Sequence, residues 1–366
     1  MKIICDKSNL LDSINISLRA IPAKSTMAIL ECLVIEAGNG VIQFISNDLE
    51  IGIKTIVKGN IIEEGSVAVN AKVFFEIVRK LPYDEVSISI DDKNTMSIIC
   101  GKAKFHIPVK GTEEFPNLPD IVKDECVIIS QFTLKEIIRQ TVFSISDNES
   151  TKIMTGELFE IKDSQLQVAS LDGHRISIRR VNLKQEYNDI SVIIPGKTLI
   201  EISKILNGDL EDEINVYFTE KHVLFEFEDT IVLSRLIEGE YYKIDKMLSS
   251  DYETKITVNK KDLYDCIDRT TLMIRESEKK PVIINVKDTS MELAINTGIG
   301  SMAEEIEITK EGKDILIGFN PKFLIDVLRV IDEDEITMYM INPKAPCFIR
   351  NLDETYVYLI LPVNFN

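Results

Sequence analysis

One helical stretch is written three times in this chain, at a spacing of 125 residues. The copies are Asn70–Leu81, Pro195–Leu206 and Asn320–Ile331, each with Lys third, a bulky apolar residue sixth, an acid seventh and Leu or Ile last. Apolar residues at helical spacing behind an Asn or Pro start predict a capped amphipathic helix. A strand-like tag soon follows each copy: Asp84–Ile88, Asp212–Val216 and Asp334–Met338. Two ordered signals repeated three times make the chain three copies of one module, and 366 residues divide accordingly.

A second repeated helix opens each module. Leu10-x-Asp12-x-Ile14 returns as Leu134-x-Glu136-x-Ile138 and as Leu263-x-Asp265-x-Ile267. Thr133 and Asn259 stand where an N-cap or a first-turn polar residue belongs. Helices are therefore expected near 6–20, 70–81, 131–145, 195–207, 259–275 and 320–331. Between them lie short β-rich runs joined by polar turns: 33–36 and 41–46, 158–161 and 165–169 around Lys162-Asp163-Ser164, then 282–286 and 291–295. These read as antiparallel hairpins. The fold class is α+β, with two helices packed on antiparallel sheets in each module. The modules are expected at 1–124, 125–250 and 251–366, jointed at Pro116–Asp124 and Leu248–Asp251.

Composition excludes several classes. The start meets charges before any apolar run of signal length, and no window approaches a membrane span, so a cytoplasmic protein without membrane contact is expected. Six isolated cysteines without a CxxC pair, beside only three histidines, predict buried reduced thiols and no metal site. The net charge of −18 argues against nucleic acid, yet the six helical segments carry +6 and everything else −24. Such a distribution suits phosphate at one surface and repels it elsewhere. It equally suits the solvated faces of ordinary amphipathic helices.

No catalytic constellation emerges. His174 lies in Asp172-Gly173-His174-Arg175, but no GxSxG, Walker A, HExxH or GxGxxG accompanies it. Asp172-Gly173 reads as a turn between strands, with Asp48-Leu49-Glu50 in the matching place 124 residues earlier. The His and Arg are then an addition peculiar to the second module. The terminus Tyr356–Asn366 is too apolar for a frayed tail; a last strand accounts for it to about Ile360, and Leu361-Pro362-Val363 continues apolar beyond. Phe105-His106-Ile107 alternates as an edge strand should, and Leu272-Met273-Ile274 is an apolar cluster closing a helix. Head-to-tail pairing of unlike ends would close a crescent of three modules into a ring.

Together these residues resemble the bacterial β sliding clamps, the processivity subunits of DNA polymerase III. The resemblance rests on Asn47-Asp48-Leu49-Glu50-Ile51, Phe115-Pro116-Asn117-Leu118, Asp172-Gly173-His174-Arg175, Gly318-Phe319-Asn320 and Leu361-Pro362-Val363. It implies a head-to-tail homodimeric ring that holds double-stranded DNA topologically, without sequence preference. It implies no cofactor and no catalysis. The replicative polymerase, the clamp loader and repair proteins would dock short linear motifs between the second and third modules. That groove would be lined by Met154, Leu171, Gly173, His174, Arg175, Ile176, Met247, Leu359, Leu361, Pro362 and Val363. DNA-facing positions would be Lys24, Lys72, Lys197 and Lys322. The subunit contact would set Phe105 and Ile107 of one chain against Leu272 and Met273 of the other. The chain departs from the family pattern at Tyr242, where a Pro-Asp pair is usual nearby, at Lys246 for Arg and at Leu171 for Thr or Ser. Two readings follow: a DNA-encircling clamp, or a three-module interaction scaffold that never touches DNA. The repeated lysine favours the first.

Overall fold

The computed structural model describes residues 1–275 and 280–365. The last residue of the expected third module, Asn366, lies outside the described residues.

All six expected helices form: α1 (Lys7–Ser17), α2 (Ala71–Arg79), α3 (Gln131–Thr141), α4 (Gly196–Ile205), α5 (Lys260–Thr271) and α6 (Pro321–Leu328). Each is shorter than its periodic segment. The first and third segments finish as single 3-10 turns, Leu18–Ala20 and Val142–Ser144. The starts follow from side-chain caps. Asn70 accepts from the Val73 N–H, Asn259 from those of Lys261 and Asp262, and Asn320 from that of Lys322. Thr133 falls inside the first turn of α3. Apolar spacing then decides which face is buried: Phe74 and Val78 in α2, Leu199 and Ile202 in α4, Leu324 and Leu328 in α6.

The chain packs as two units, Met1–Phe132 with Lys204–Leu236 and Thr133–Ser203 with Ile237–Asn366. The middle third of the sequence is thus shared out, 125–132 and 204–236 passing to the first unit and 133–203 and 237–250 to the second.

In the first unit a five-stranded sheet runs in the order 59–63, 2–6, 85–90, 95–100, 103–108. Ala103–Pro108 is therefore an edge strand, as its alternation predicted. An eight-stranded sheet runs 126–130, 213–218, 222–227, 230–235, 51–57, 41–47, 32–38, 65–70. Its centre joins distant sequence: Ile51–Val57 pairs antiparallel with Thr230–Arg235, and the buried hydroxyls of Thr55 and Thr230 lie 2.8 Å apart. The core gathers Ile3, Leu10, Ile14, Leu33 and Ile35, with Phe44 set edge-on to Phe74 at 6.3 Å.

In the second unit a seven-stranded sheet runs 156–171, 175–195, 356–360, 347–350, 335–340, 254–259, 309–312, and a four-stranded one 301–307, 290–296, 282–287, 315–319. Alternation along Tyr356–Ile360 feeds two cores. Tyr356, Tyr358 and Ile360 pack with α5 and α6, whereas Val357 and Leu359 join Ile176, Ile178 and Phe348.

One expectation changes in form. The hairpin at 158–169 appears as one strand, Gly156–Leu171, paired along its length with Arg175–Pro195. The expected turn persists inside it: Asp163 takes φ 54°, and the ladder slips on both sides of it. Gln167 donates to Glu160 at 3.1 Å, as Gln43 donates to Glu36 at 2.6 Å in the first copy. Among the described residues no helix is long and apolar enough to cross a membrane.

Candidate functional site

The turn at 171–175 is built by one aspartate. Asp172 Oδ1 accepts from the backbone N–H groups of His174 (2.9 Å) and Arg175 (3.1 Å). Gly173 takes φ 88° with open space where a side chain would sit. Asp48 does the same in the first module, accepting from Glu50 (3.0 Å) and Ile51 (2.8 Å), with Leu49 at φ 76°. The turn is a repeated device, and the second copy relieves its strained position with glycine.

Arg175 is the addition peculiar to this copy, and it is 6% exposed. Its Nε donates to Asp172 (3.0 Å), Nη1 to Asp326 (2.7 Å) and Nη2 to the Phe143 carbonyl (2.6 Å). The guanidinium also lies over the Phe323 ring at 4.3 Å and the Phe143 ring at 5.4 Å. A buried cation with every face engaged is a strut: it ties the turn to α6 and to the residues after α3. His174 also stacks on Phe323, with ring centroids 6.2 Å apart.

The C-terminal segment closes on the same turn. The Leu361 N–H donates to the His174 carbonyl and that of Val363 to the Gly318 carbonyl, both at 2.8 Å. The Phe365 ring lies against Gly318, where a Cβ would come within 2.6 Å of it. Beneath, Ile176 pairs with Leu359 across the ladder, and both join Leu171, Ile244 and Leu158 in one buried cluster edged by Met154 and Leu248. Met247 and Leu361 stay exposed, at 42% and 37%. The structure thus gathers nearly all the named groove residues around one turn, some as buried support and some at the surface. Sequence reading missed Phe323, Asp326 and Phe143, which fix Arg175. Only Asp326 carried a signal, as the third copy of the repeated acid.

Lys24, Lys72, Lys197 and Lys322 are all exposed, the last three in the first turns of α2, α4 and α6. Lys72 Nζ donates to the Ala23 carbonyl at 3.3 Å, next to Lys24. Phe105 is exposed on its edge strand with Ile107 partly covered. Leu272 is 71% exposed just beyond α5, while the Met273 carbonyl accepts from the Thr297 hydroxyl at 2.6 Å.

Among the described residues no group is poised for chemistry. Among the described residues no cluster of His, Cys, Asp or Glu could hold a metal. Burial raises the thiols of Cys5, to about 11, and of Cys266 and Cys347, each to about 12, which leaves them protonated and inert. One buried acid stands out. Glu157, fully buried, has no hydrogen-bond partner for either carboxyl oxygen. The nearby Thr141 hydroxyl is committed to the Ile137 carbonyl at 2.7 Å. Desolvation pushes the Glu157 carboxyl up to about 8.

Comparison with known proteins accounts for this arrangement. The DNA polymerase III beta subunit profiles match in order: the N-terminal domain over residues 1–119, the central domain over 128–243 and the C-terminal domain over 245–364. The chain is 34% identical to the beta sliding clamp of Bacillus subtilis, over 99% of both chains. It is 30% identical to that of Staphylococcus aureus strain Mu50, again over 99% of both. Among solved structures, a putative DNA polymerase III beta subunit from Eubacterium rectale superposes with TM-score 0.97 at 56% identity, covering 100% of each chain. A DnaN sliding clamp from Bartonella birtlesii, solved bound to griselimycin, superposes with TM-score 0.93 at 25% identity, also over 100% of each. Three family domains matched in order, with relatives covered over nearly their whole length, show that this chain belongs to one protein family: the DNA polymerase III beta subunits, the bacterial β sliding clamps.

Proposed function

We infer that the protein is a DNA sliding clamp: a non-catalytic homodimeric ring that encircles duplex DNA and tethers the replicative polymerase, the clamp loader and repair proteins. The observation that carries this reading is that the module repeat and the family match run the length of the chain together. We take the modules as 1–124, 125–250 and 251–366. Such a clamp works in the cytoplasm, where bacterial replication takes place.

Each surface has its support. For the partner groove, His174, Met247 and Leu361 are exposed, and the chain beside each feeds one apolar cluster that includes Leu171, Ile176, Ile244 and Leu359. Short linear motifs need such a pocket, apolar with a few fixed polar groups. For the subunit contact, an open strand edge carrying Phe105 and Ile107 suits continuation into the apolar Leu272–Met273 of a second chain. For DNA, exposed lysines at equivalent helix positions suit phosphates and are blind to base identity.

Few such contacts give only weak, salt-sensitive affinity, on the order of 10⁻⁴–10⁻⁶ M. Retention must come from topology. A clamp loaded on nicked circular DNA is expected to survive salt that abolishes direct binding, and to leave once the DNA is linearised. Changing Lys72, Lys197 and Lys322 together to Glu should impair loading while the dimer persists in gel filtration. Equal retention on linear and circular DNA would mean that the protein grips rather than encircles, and would overturn the reading.

A further inference from the structure

A cleft opens at a split in the seven-stranded sheet, lined by residues of the last third of the chain. Strands Glu335–Met340 and Cys347–Arg350 pair only at Met338 with Ile349 and Tyr339 with Phe348. Beyond Met338, residues Glu335, Ile336 and Thr337 keep Thr254–Asn259 on one side. On the other they face a cleft of about 630 Å³, across which stand Arg350, Asn351, Leu352 and Asp353. In an antiparallel strand alternate residues turn both N–H and C=O to one side, so part of this backbone addresses the cleft.

The lining has a definite character. Its floor is apolar, from buried Ile331, Ile336 and Ile349. Its rim is acidic, from exposed Glu333, Glu335 and Asp353, and hydrogen bonds from Thr355 hold the Asp353 carboxylate below the usual range. The two cations of the cleft are already committed. Lys255 pairs with Glu311 at 3.2 Å. Arg350 pairs with Glu354 at 3.0 Å, donates to the Ser249 carbonyl at 2.6 Å and packs on the Tyr339 and Phe348 rings. The side chain of Arg350 is nine-tenths buried, and its Nε has no partner. Leu352 stands wholly exposed at the rim.

We propose that this cleft is a second docking site, for an extended basic peptide segment of a partner protein that adds to the open edge at Glu335–Thr337. Charge complementarity selects the occupant. Lysine or arginine side chains meet Glu333, Glu335 and Asp353, and alternate aliphatic side chains cover the floor and Leu352. The volume falls in the range of ligand pockets, about 300–1,000 Å³.

The test uses the full-length protein and a fluorescein-labelled peptide of alternating lysine and valine, read by anisotropy. Saturable binding is expected for the L-peptide and not for its all-D form, because strand addition is chiral whereas adhesion to an acidic surface is not. Glu333→Lys with Glu335→Lys should weaken binding about tenfold. Leu352→Asp, at a wholly exposed position that cannot disturb folding, should weaken it as well. A photoreactive version should label 335–337 or 350–353. Equal binding of the D-peptide, full displacement by spermidine at equal concentration, labelling elsewhere, or no saturable binding would each overturn the proposal.

Discussion

Glu157→Met is the most informative single substitution in the second unit. The native carboxyl is fully buried, without a hydrogen-bond partner, and titrates at about 8 against 4.5 for an exposed glutamate. The unfolded chain therefore releases this proton near pH 4.5, while the folded chain keeps it to about pH 8. Between those values the unfolded state binds fewer protons, so stability falls as pH rises, by about 1.4 kcal/mol per pH unit. The penalty is about 1 kcal/mol at pH 5.5, about 3 at pH 7 and about 5 above pH 8. Methionine fills a similar volume, carries no charge and suits the apolar surroundings. The variant should match the native protein near pH 5 and exceed it increasingly as pH rises. A gain of about 3 kcal/mol at pH 7 corresponds to roughly 6–12 °C in Tm for a unit of this size. Thermal melts of both proteins at pH 5, 7 and 8.5 read the difference, and titrations common to both cancel. Parallel profiles across that range would refute the reasoning, since they would mean that the carboxyl is ionised and satisfied in the fold.

Two further outcomes test the interaction surfaces. Truncation before Leu361 removes the segment held by the His174 and Gly318 carbonyls, and should abolish binding of a polymerase-derived peptide while leaving a folded dimer; unchanged peptide affinity would count against the groove. Ile107→Asp would bury an unpaired carboxylate at the proposed subunit contact, a cost of several kcal/mol, so sedimentation at micromolar concentration should show monomer if Ile107 lies there.

What could be read from the sequence was what repeats. The helices, three of them with asparagine caps, and the Asp48 and Asp172 turns announced themselves because the same local rules recur along the chain. The Arg175 strut could not be read in full, because Asp326 lies 151 residues away and nothing local says which acid an arginine will find. Glu157 was illegible for the opposite reason. In Gly156-Glu157-Leu158-Phe159-Glu160 it looks like any solvated acid on a strand, and only tertiary packing covers it. The split beside Glu335–Thr337 also left no mark, since a strand's sequence does not record whether a neighbour will pair along its whole length.

The hydrogen bond between Thr55 and Thr230 spans 175 residues of sequence. On a ribosome that separation is a delay. At about 5–20 residues per second, Ile51–Val57 waits roughly 10–35 seconds for the strand that completes its sheet. Throughout that interval the nascent chain carries an open apolar edge in a crowded compartment, beside identical chains on neighbouring ribosomes. The first unit is thus completed late despite holding the N-terminus, and that waiting edge is where pairing with another chain would begin.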